Sequence, residues 1–228
     1  MKKQNNLTEL VFILDRSGSM CGLEEDTMGG FNSLIKKQRR QEGECLVTTV
    51  LFDDEIDTIH NRVPLEDVKD MTKEEYFVGG CTALLDAVGE TISKIDTLQG
   101  DTVRDKMPQK TVFVIITDGM ENSSEKYTAT KVKKMIEKQK EKYGWEFLFL
   151  GANIDAMETA SHMGISSDRA VTYHPDEKGT RTNFEAVSKA VCYMRAEEAV
   201  GAEWKKEVED YYSLKNTQKQ TEKYTKKC

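Results

Sequence analysis

Asp15, Ser17 and Ser19 occupy alternate positions in the run Asp15-Arg16-Ser17-Gly18-Ser19, and each carries a hard oxygen donor. One carboxylate and two hydroxyls at this spacing suit a cation that prefers oxygen to sulfur or nitrogen. The same chemistry recurs twice further along. Thr82 follows the tight path Gly79-Gly80-Cys81, and Asp118 is followed by Gly119, which permits a turn. Taken alone, Thr82 reads as the cap of the helix that starts just after it.

These residues need a frame that brings them together. Residues 10–14 form a continuous apolar run that stops at Asp15, and residues 111–117 form a second that stops at Asp118. Such runs suit strands buried on both faces of a parallel sheet, and ligands sit at the C-terminal ends of such strands. Around them, Gly29-Gly30 precede a first helix marked by Phe31, Leu34 and Ile35, and residues 46–52 make a second strand. Residues 55–60 follow so closely that they must return antiparallel at the sheet edge, which places His60 there. Residues 64–76 read as a connector, and Leu84, Leu85, Ala87, Val88, Ile92 and Ile95 mark the next helix. Helices over 128–142, 153–163 and 183–202 alternate with strands over 145–150 and 170–173. The pattern predicts an α/β, Rossmann-like, doubly wound fold: a mainly parallel central sheet, one antiparallel edge strand, and helices on both faces. If the strands over 10–14 and 111–117 are neighbours at the switch point, Asp15, Ser17, Ser19, Thr82 and Asp118 converge.

The order D-x-S-x-S, then a loop threonine, then a strand-end Asp-Gly resembles the von Willebrand factor type A domain, over roughly residues 8–202. In that family the pattern is the metal-ion-dependent adhesion site, and all five of its positions are filled here by Asp15, Ser17, Ser19, Thr82 and Asp118. The resemblance implies that Ser17, Ser19 and Thr82 reach a cation with their hydroxyls, while Asp15 and Asp118 bind it directly or through water. A set with no sulfur or imidazole favours Mg2+, with Mn2+ or Ca2+ as alternatives. It also implies an open coordination position, filled in the family by an Asp or Glu carboxylate of a partner protein. The expected function is therefore metal-dependent protein binding within an intracellular assembly, by a bacterial-type member of the family, rather than catalysis.

The competing reading is a Mg-dependent phosphohydrolase of haloacid-dehalogenase type with Asp15 as nucleophile. Such enzymes need a second Asp two residues on, where this chain has Ser17. A serine hydrolase lacks its G-x-S-x-G elbow, with only His60, His162 and His174 available as bases, and no phosphate-cradling glycine loop is present.

Composition bounds the rest. The 228 residues are 38% hydrophobic and 32% charged with a formal net charge of −7, which argues against a general nucleic-acid binder. No stretch reaches the roughly 20 apolar residues of a membrane span, and the short run after Lys2 and Lys3 does not make a signal peptide. Cys21, Cys45, Cys81, Cys192 and Cys228 are odd in number and form no CxxC pair, so a reducing cytoplasm fits best. Cys21 and Cys81 flank the candidate site, where oxidation to a disulfide would block it. The expected division is a domain over 1–203 and a helical, basic extension over 204–228. Trp204, Val208, Tyr211, Tyr212 and Leu214 follow helical spacing, so part of the extension is expected to pack on the domain; Lys215, Lys219, Lys223, Lys226 and Lys227 make its end basic, and beyond Asn216 it reads as solvated and partly disordered.

Overall fold

The computed structural model describes residues 6–196 and 198–225; Lys2, Lys3, Lys226, Lys227 and Cys228 lie outside them. Its centre is a six-stranded sheet in the order β3-β2-β1-β4-β5-β6. The strands are β1 (Thr8–Asp15), β2 (Cys45–Phe52), β3 (Ile56–Pro64), β4 (Lys110–Thr117), β5 (Glu146–Ala152) and β6 (Ala170–Tyr173). All pairings are parallel except β2 with β3, so the close-following third strand does return antiparallel at an edge, and it runs on to Pro64. The chain moves outward from β1 to β3 and then crosses back to β4 on the other side of β1. The β1–β4 boundary is thus the switch point, with Leu14 opposite Ile116.

Side-chain alternation along the central strands feeds two cores. Leu10, Phe12, Leu14, Val114 and Ile116 face α1 (Glu24–Gln38) and α5 (Glu177–Arg195), packing on Phe31, Leu34, Phe184 and Val187. Val11, Ile13, Phe113 and Ile115 face α2 (Leu84–Gly100), α3 (Ala129–Tyr143) and α4 (Ala156–His162), packing on Val88, Ile92, Val132 and Ile136. Helices therefore cover both faces, as the uninterrupted apolar strands require. A last helix, α6 (Lys206–Thr225), packs on β6 and α5, with Trp204 and Val208 buried. The segment beyond Asn216, expected as a solvated extension, continues this helix.

Three helices depart most from expectation. The helix assigned to 183–202 spans Glu177–Arg195, because Asp176 caps it by accepting from Gly179 N at 2.7 Å ahead of a polar first turn that carries no apolar period. The one assigned to 153–163 shortens to Ala156–His162, capped by Asp155, whose side chain accepts from Glu158 N at 3.0 Å. Gly29 and Gly30 do not precede the first helix but lie inside α1. Glycine disfavours helix, and the reason for one of the pair is contact: a Cβ on Gly30 would lie 2.2 Å from the ring of Phe184, whereas one on Gly29 would meet nothing. This lets α1 and α5 approach closely over the core.

That difference gives opposite signs for two similar substitutions. Alanine gains about 1 kcal/mol over glycine in a helix interior, so Gly29→Ala is expected to raise the urea midpoint. In Gly30→Ala the overlap with Phe184 costs about 1–3 kcal/mol, as overpacked cores do, and the midpoint is expected to fall.

Candidate metal centre

The five oxygen-bearing residues meet at the C-terminal tips of β1 and β4. Asp15 ends β1 on the face shared by Val11 and Ile13, and Thr117 ends β4 on the same face. The two are joined there: Thr117 Oγ1 donates to Asp15 Oδ2 at 2.5 Å. Ser17 N donates to Asp15 Oδ1 at 2.7 Å, and Tyr76 Oη donates to the Asp15 carbonyl at 2.5 Å. Asp15 is thereby fixed in both carboxylate and backbone. Arg16, next in sequence, is buried and turned away, bonding Asp53 at 2.9 Å and Asp57 at 2.6 Å with Phe77 stacked over it.

A single 3-10 turn, Gly18–Met20, follows, and the Ser17 hydroxyl at its start caps no backbone donor. It joins instead a directed row of hydroxyls. Thr82 Oγ1 donates to Ser17 Oγ at 3.0 Å, Ser17 and Ser19 Oγ lie 3.1 Å apart, and Ser19 Oγ donates to Asp118 Oδ1 at 2.5 Å. Since Ser17 accepts from Thr82 and Ser19 gives its proton to Asp118, Ser17 donates to Ser19. Thr82 is not the helix cap that it resembles in isolation: Ala83 holds the cap position of α2, and its side chain makes no capping bond.

The loops that carry these groups are stitched together through their backbones. Gly18 N donates to Gly80 O at 3.2 Å, Gly79 N to Arg16 O at 3.0 Å, and Ala83 N to Asp53 O at 2.9 Å. Thr82 N donates to Asn122 Oδ1 at 2.9 Å while Asn122 N donates to Thr82 O at 3.1 Å, which clamps the threonine loop to the loop after Asp118. Glu121 completes the seam by accepting from Leu85 N, Ser123 N and Ser124 N. A side chain on Gly119 would approach Thr82 Oγ1 to 2.8 Å and Ser19 Oγ to 3.0 Å, so this position must stay bare for the hydroxyls to close up. Thr117, Tyr76 and Asn122 were not singled out from sequence. Thr117 could have been, since it ends its strand as Asp15 ends the neighbouring one; Tyr76 and Asn122 belong to irregular segments with no periodic signal.

The electrostatics fit a cation. Asp15 and Asp118 are 1% and 2% exposed, and no Lys, Arg or His among the described residues forms an ion pair with either. Burial pushes the Asp15 carboxyl above its ordinary range against the hydrogen bonds from Ser17 and Thr117. Burial pushes Asp118 up to about 6; the Ser19 hydrogen bond opposes this and the Asp15 charge adds to it. Asp118 Oδ2 is buried with no hydrogen-bond partner. Two crowded carboxylates, three hydroxyls and one orphaned oxygen suit a hard divalent ion. Among the described residues no three His, Cys, Asp or Glu gather into a metal cluster, so this centre is distinguished by its hydroxyls. Cys21 and Cys81 are exposed free thiols on the two loops joined by the Gly18–Gly80 bond. His60 is buried on β3 and stacked on Phe31, a core position remote in role from this centre.

No protein-family model matches the chain, and no curated protein matches it in sequence. Its fold is found among solved structures. A von Willebrand factor type A protein from Catenulispora acidiphila aligns over 81% of this chain with a TM-score of 0.56 at 14% identity. Proximal thread matrix protein 1 from the mussel byssus, in a form whose metal-ion-dependent adhesion site is occupied by zinc, also aligns over 81% with a TM-score of 0.56 at 14% identity. The chain spans 42% and 46% of the length of those two proteins. The likeness establishes the von Willebrand factor type A fold for this chain.

The raised Asp118 value fixes a pH dependence. A carboxyl that holds its proton more tightly folded than unfolded contributes stability at low pH, which is lost as pH rises through the folded value. In EDTA, the Asp118 contribution is therefore expected to decline from about pH 4 to about pH 6, and Asp118→Asn should remove that decline. Denaturant titrations across this window, wild type against variant, measure both slopes.

Proposed function

We propose that the chain binds a divalent cation at Asp15, Ser17, Ser19, Thr82 and Asp118 and, through it, a carboxylate of a protein partner. The observation that carries this reading is the pair of buried carboxylates with no counter-cation, one with an orphaned oxygen, ringed by three hydroxyls. The zinc-occupied site of the byssal protein with the same fold supports a divalent ion here. Oxygen donors favour Mg2+, with Mn2+ or Ca2+ as alternatives.

The residues divide the work. Asp15 and Asp118 supply two negative charges that hold the ion; Ser17, Ser19 and Thr82 supply neutral oxygens that leave it electrophilic. The metal, when bound, provides a Lewis-acid position that an outside carboxylate completes. Ser19 is exposed, so the centre opens to solvent on its side. Both oxygens of Asp15 already accept hydrogen bonds, from Ser17 N and Thr117, which suits a fixed ligand better than a nucleophile. We place the partner within an intracellular protein assembly, and assign the metal-binding domain to residues 1–203 with the remainder as an extension. Among the described residues no helix is long and apolar enough to cross a membrane.

The test is a thermal melt in Mg2+, Mn2+ or Ca2+ against EDTA. An ion bound only by the native state stabilises it by about 2.7 kcal/mol at a hundredfold excess over its Kd. The midpoint is expected to rise in wild type and to stay unmoved in Asp118→Asn, which keeps the shape and removes the charge. Retention of a protein from extract that EDTA releases, and that Asp118→Asn never retains, is expected of the partner. No metal response with or without an added acidic peptide would overturn the reading.

A further inference from the structure

Behind the metal centre, several buried polar atoms have no hydrogen-bond partner among the described residues: Asp118 Oδ2, Tyr173 Oη, Thr180 Oγ1 and both amide atoms of Asn183. Tyr173 and Asn183 are wholly excluded from solvent, and Asp118 and Thr180 are each 2% exposed. Groups so placed ordinarily find a partner in protein or in ordered water. Strand register brings two of them together. Thr117 lies opposite Gly151 in β5, and the next residue of β5, Ala152, lies opposite Tyr173 in β6. Asp118, next after Thr117, continues the row Asp118, Ala152, Tyr173 across three strand ends. Ile116, Ala152 and Tyr173 face the core beneath α1 and α5, and Asp118 stands two residues beyond Ile116 on that side. With strands about 4.8 Å apart, the Tyr173 backbone is about 10 Å from that of Asp118, and only the Ala152 methyl stands between. The two side chains act on each other across that methyl: burial first, and then the Asp118 charge, hold the Tyr173 proton well above the ordinary tyrosine range. Tyr173 therefore keeps a proton to donate, and Asp118 Oδ2 is free to accept a hydrogen bond.

Helix α5 supplies the other two groups. It starts hard against the end of β6, where a Cβ on Gly179 would lie 1.9 Å from His174 O, and it runs back along the sheet to Met194, whose carbonyl accepts from Lys110 at the start of β4. Thr180, Asn183, Val187 and Val191 are buried and spaced as one face of this helix. Val187 and Val191 belong to the same core as Tyr173, so the polar pair caps that face at the strand-tip end, the level of Asp118 and Tyr173. We propose that Tyr173, Asn183 and Thr180 hold a buried water against Asp118 Oδ2, and that through it Tyr173 acts as a positioning residue for the carboxylate. One water can accept from Tyr173 Oη and Asn183 Nδ2 and donate to Asp118 Oδ2 and Thr180 Oγ1, within the two to four bonds that buried waters make. A carboxylate oxygen has a second lone pair, so Oδ2 can take this water and still serve an ion. The positioning role rests on the metal-binding function proposed above; the presence of the water does not.

Two measurements on the full chain test this. The first is a high-resolution crystal structure grown in EDTA, in which an ordered water is expected within hydrogen-bonding distance of Tyr173 Oη, Asn183 Nδ2 and Asp118 Oδ2. A dry cluster, or these groups bonded directly to one another, overturns the proposal whether or not the chain binds metal. The second compares wild type with Tyr173→Phe, which keeps the ring and removes the donor, by calorimetric titration with Mn2+ and by thermal melts in EDTA. Tyr173→Phe is expected to bind Mn2+ several-fold more weakly. A variant whose EDTA midpoint shifts while its Mn2+ affinity stays at the wild-type value would show a structural role alone and overturn the positioning role. If wild type itself takes up no Mn2+, the metal reading and the positioning role fall together, and the metal-free structure decides the water by itself.

Discussion

Asp15 and Asp118 are like charges, almost wholly excluded from water, at the tips of two adjacent strands. Among the described residues no basic side chain pairs with either: the nearest in sequence, Arg16, is committed to Asp53 and Asp57 behind the site. The energetic strain is visible in Asp118, whose burial and neighbouring charge raise its affinity for a proton. A proton or a cation would relieve this repulsion, and the oxygen atoms around it suit a small, hard occupant. The hydroxyl row, the bare Gly119 and the Asn122 clamp all serve that one constraint.

The frame is rigid because each loop that carries one of these oxygens is tied to another such loop rather than to solvent. The first loop holds the threonine loop through Gly18 and Gly80, and the threonine loop holds the loop after β4 through Asn122. Behind the last of these, Asp86 in α2 accepts from the backbones of Glu125, Lys126 and Tyr127. Displacing one donor therefore disturbs the others. Such coupling favours an all-or-none site over a set of independent ligands.

How far this was legible in the chain depended on the kind of signal. The unbroken apolar runs ending at Asp15 and Asp118 announce buried parallel strands, and the short spacing after β2 announces the antiparallel return at β3; both survive in the structure because few other arrangements bury them. The convergence of Thr82 follows from the sequence only on the condition that β1 and β4 are neighbours, with the resemblance adding support, since a threonine before a helix looks locally like a cap. Residues 177–182 were missed as helix because their polar character carries no periodicity, and the cap that starts it, Asp176, is recognised by geometry rather than by pattern. Gly30 misled for the opposite reason. Its local preference points to a break, while a contact with Phe184, 154 positions later in the chain, requires a glycine inside a helix. Tyr76, which fixes the carbonyl of Asp15, comes from an irregular connector whose position no local rule specifies.

The far side of the sheet ends in β6, a strand of only four residues. Its outer flank is not left bare. Lys205 donates to the carbonyls of Ser167 and Ala170, Trp204 Nε1 donates to Asp168 O, and α6 then packs along the strand. An unpaired parallel edge is a template for accretion by other chains, the hazard that leads to fibrils and precipitates. With Lys205 bonded to the Ala170 carbonyl and α6 packed on the strand, the segment after α5 stands where a further strand would have to pair, so accretion at β6 would first have to displace it.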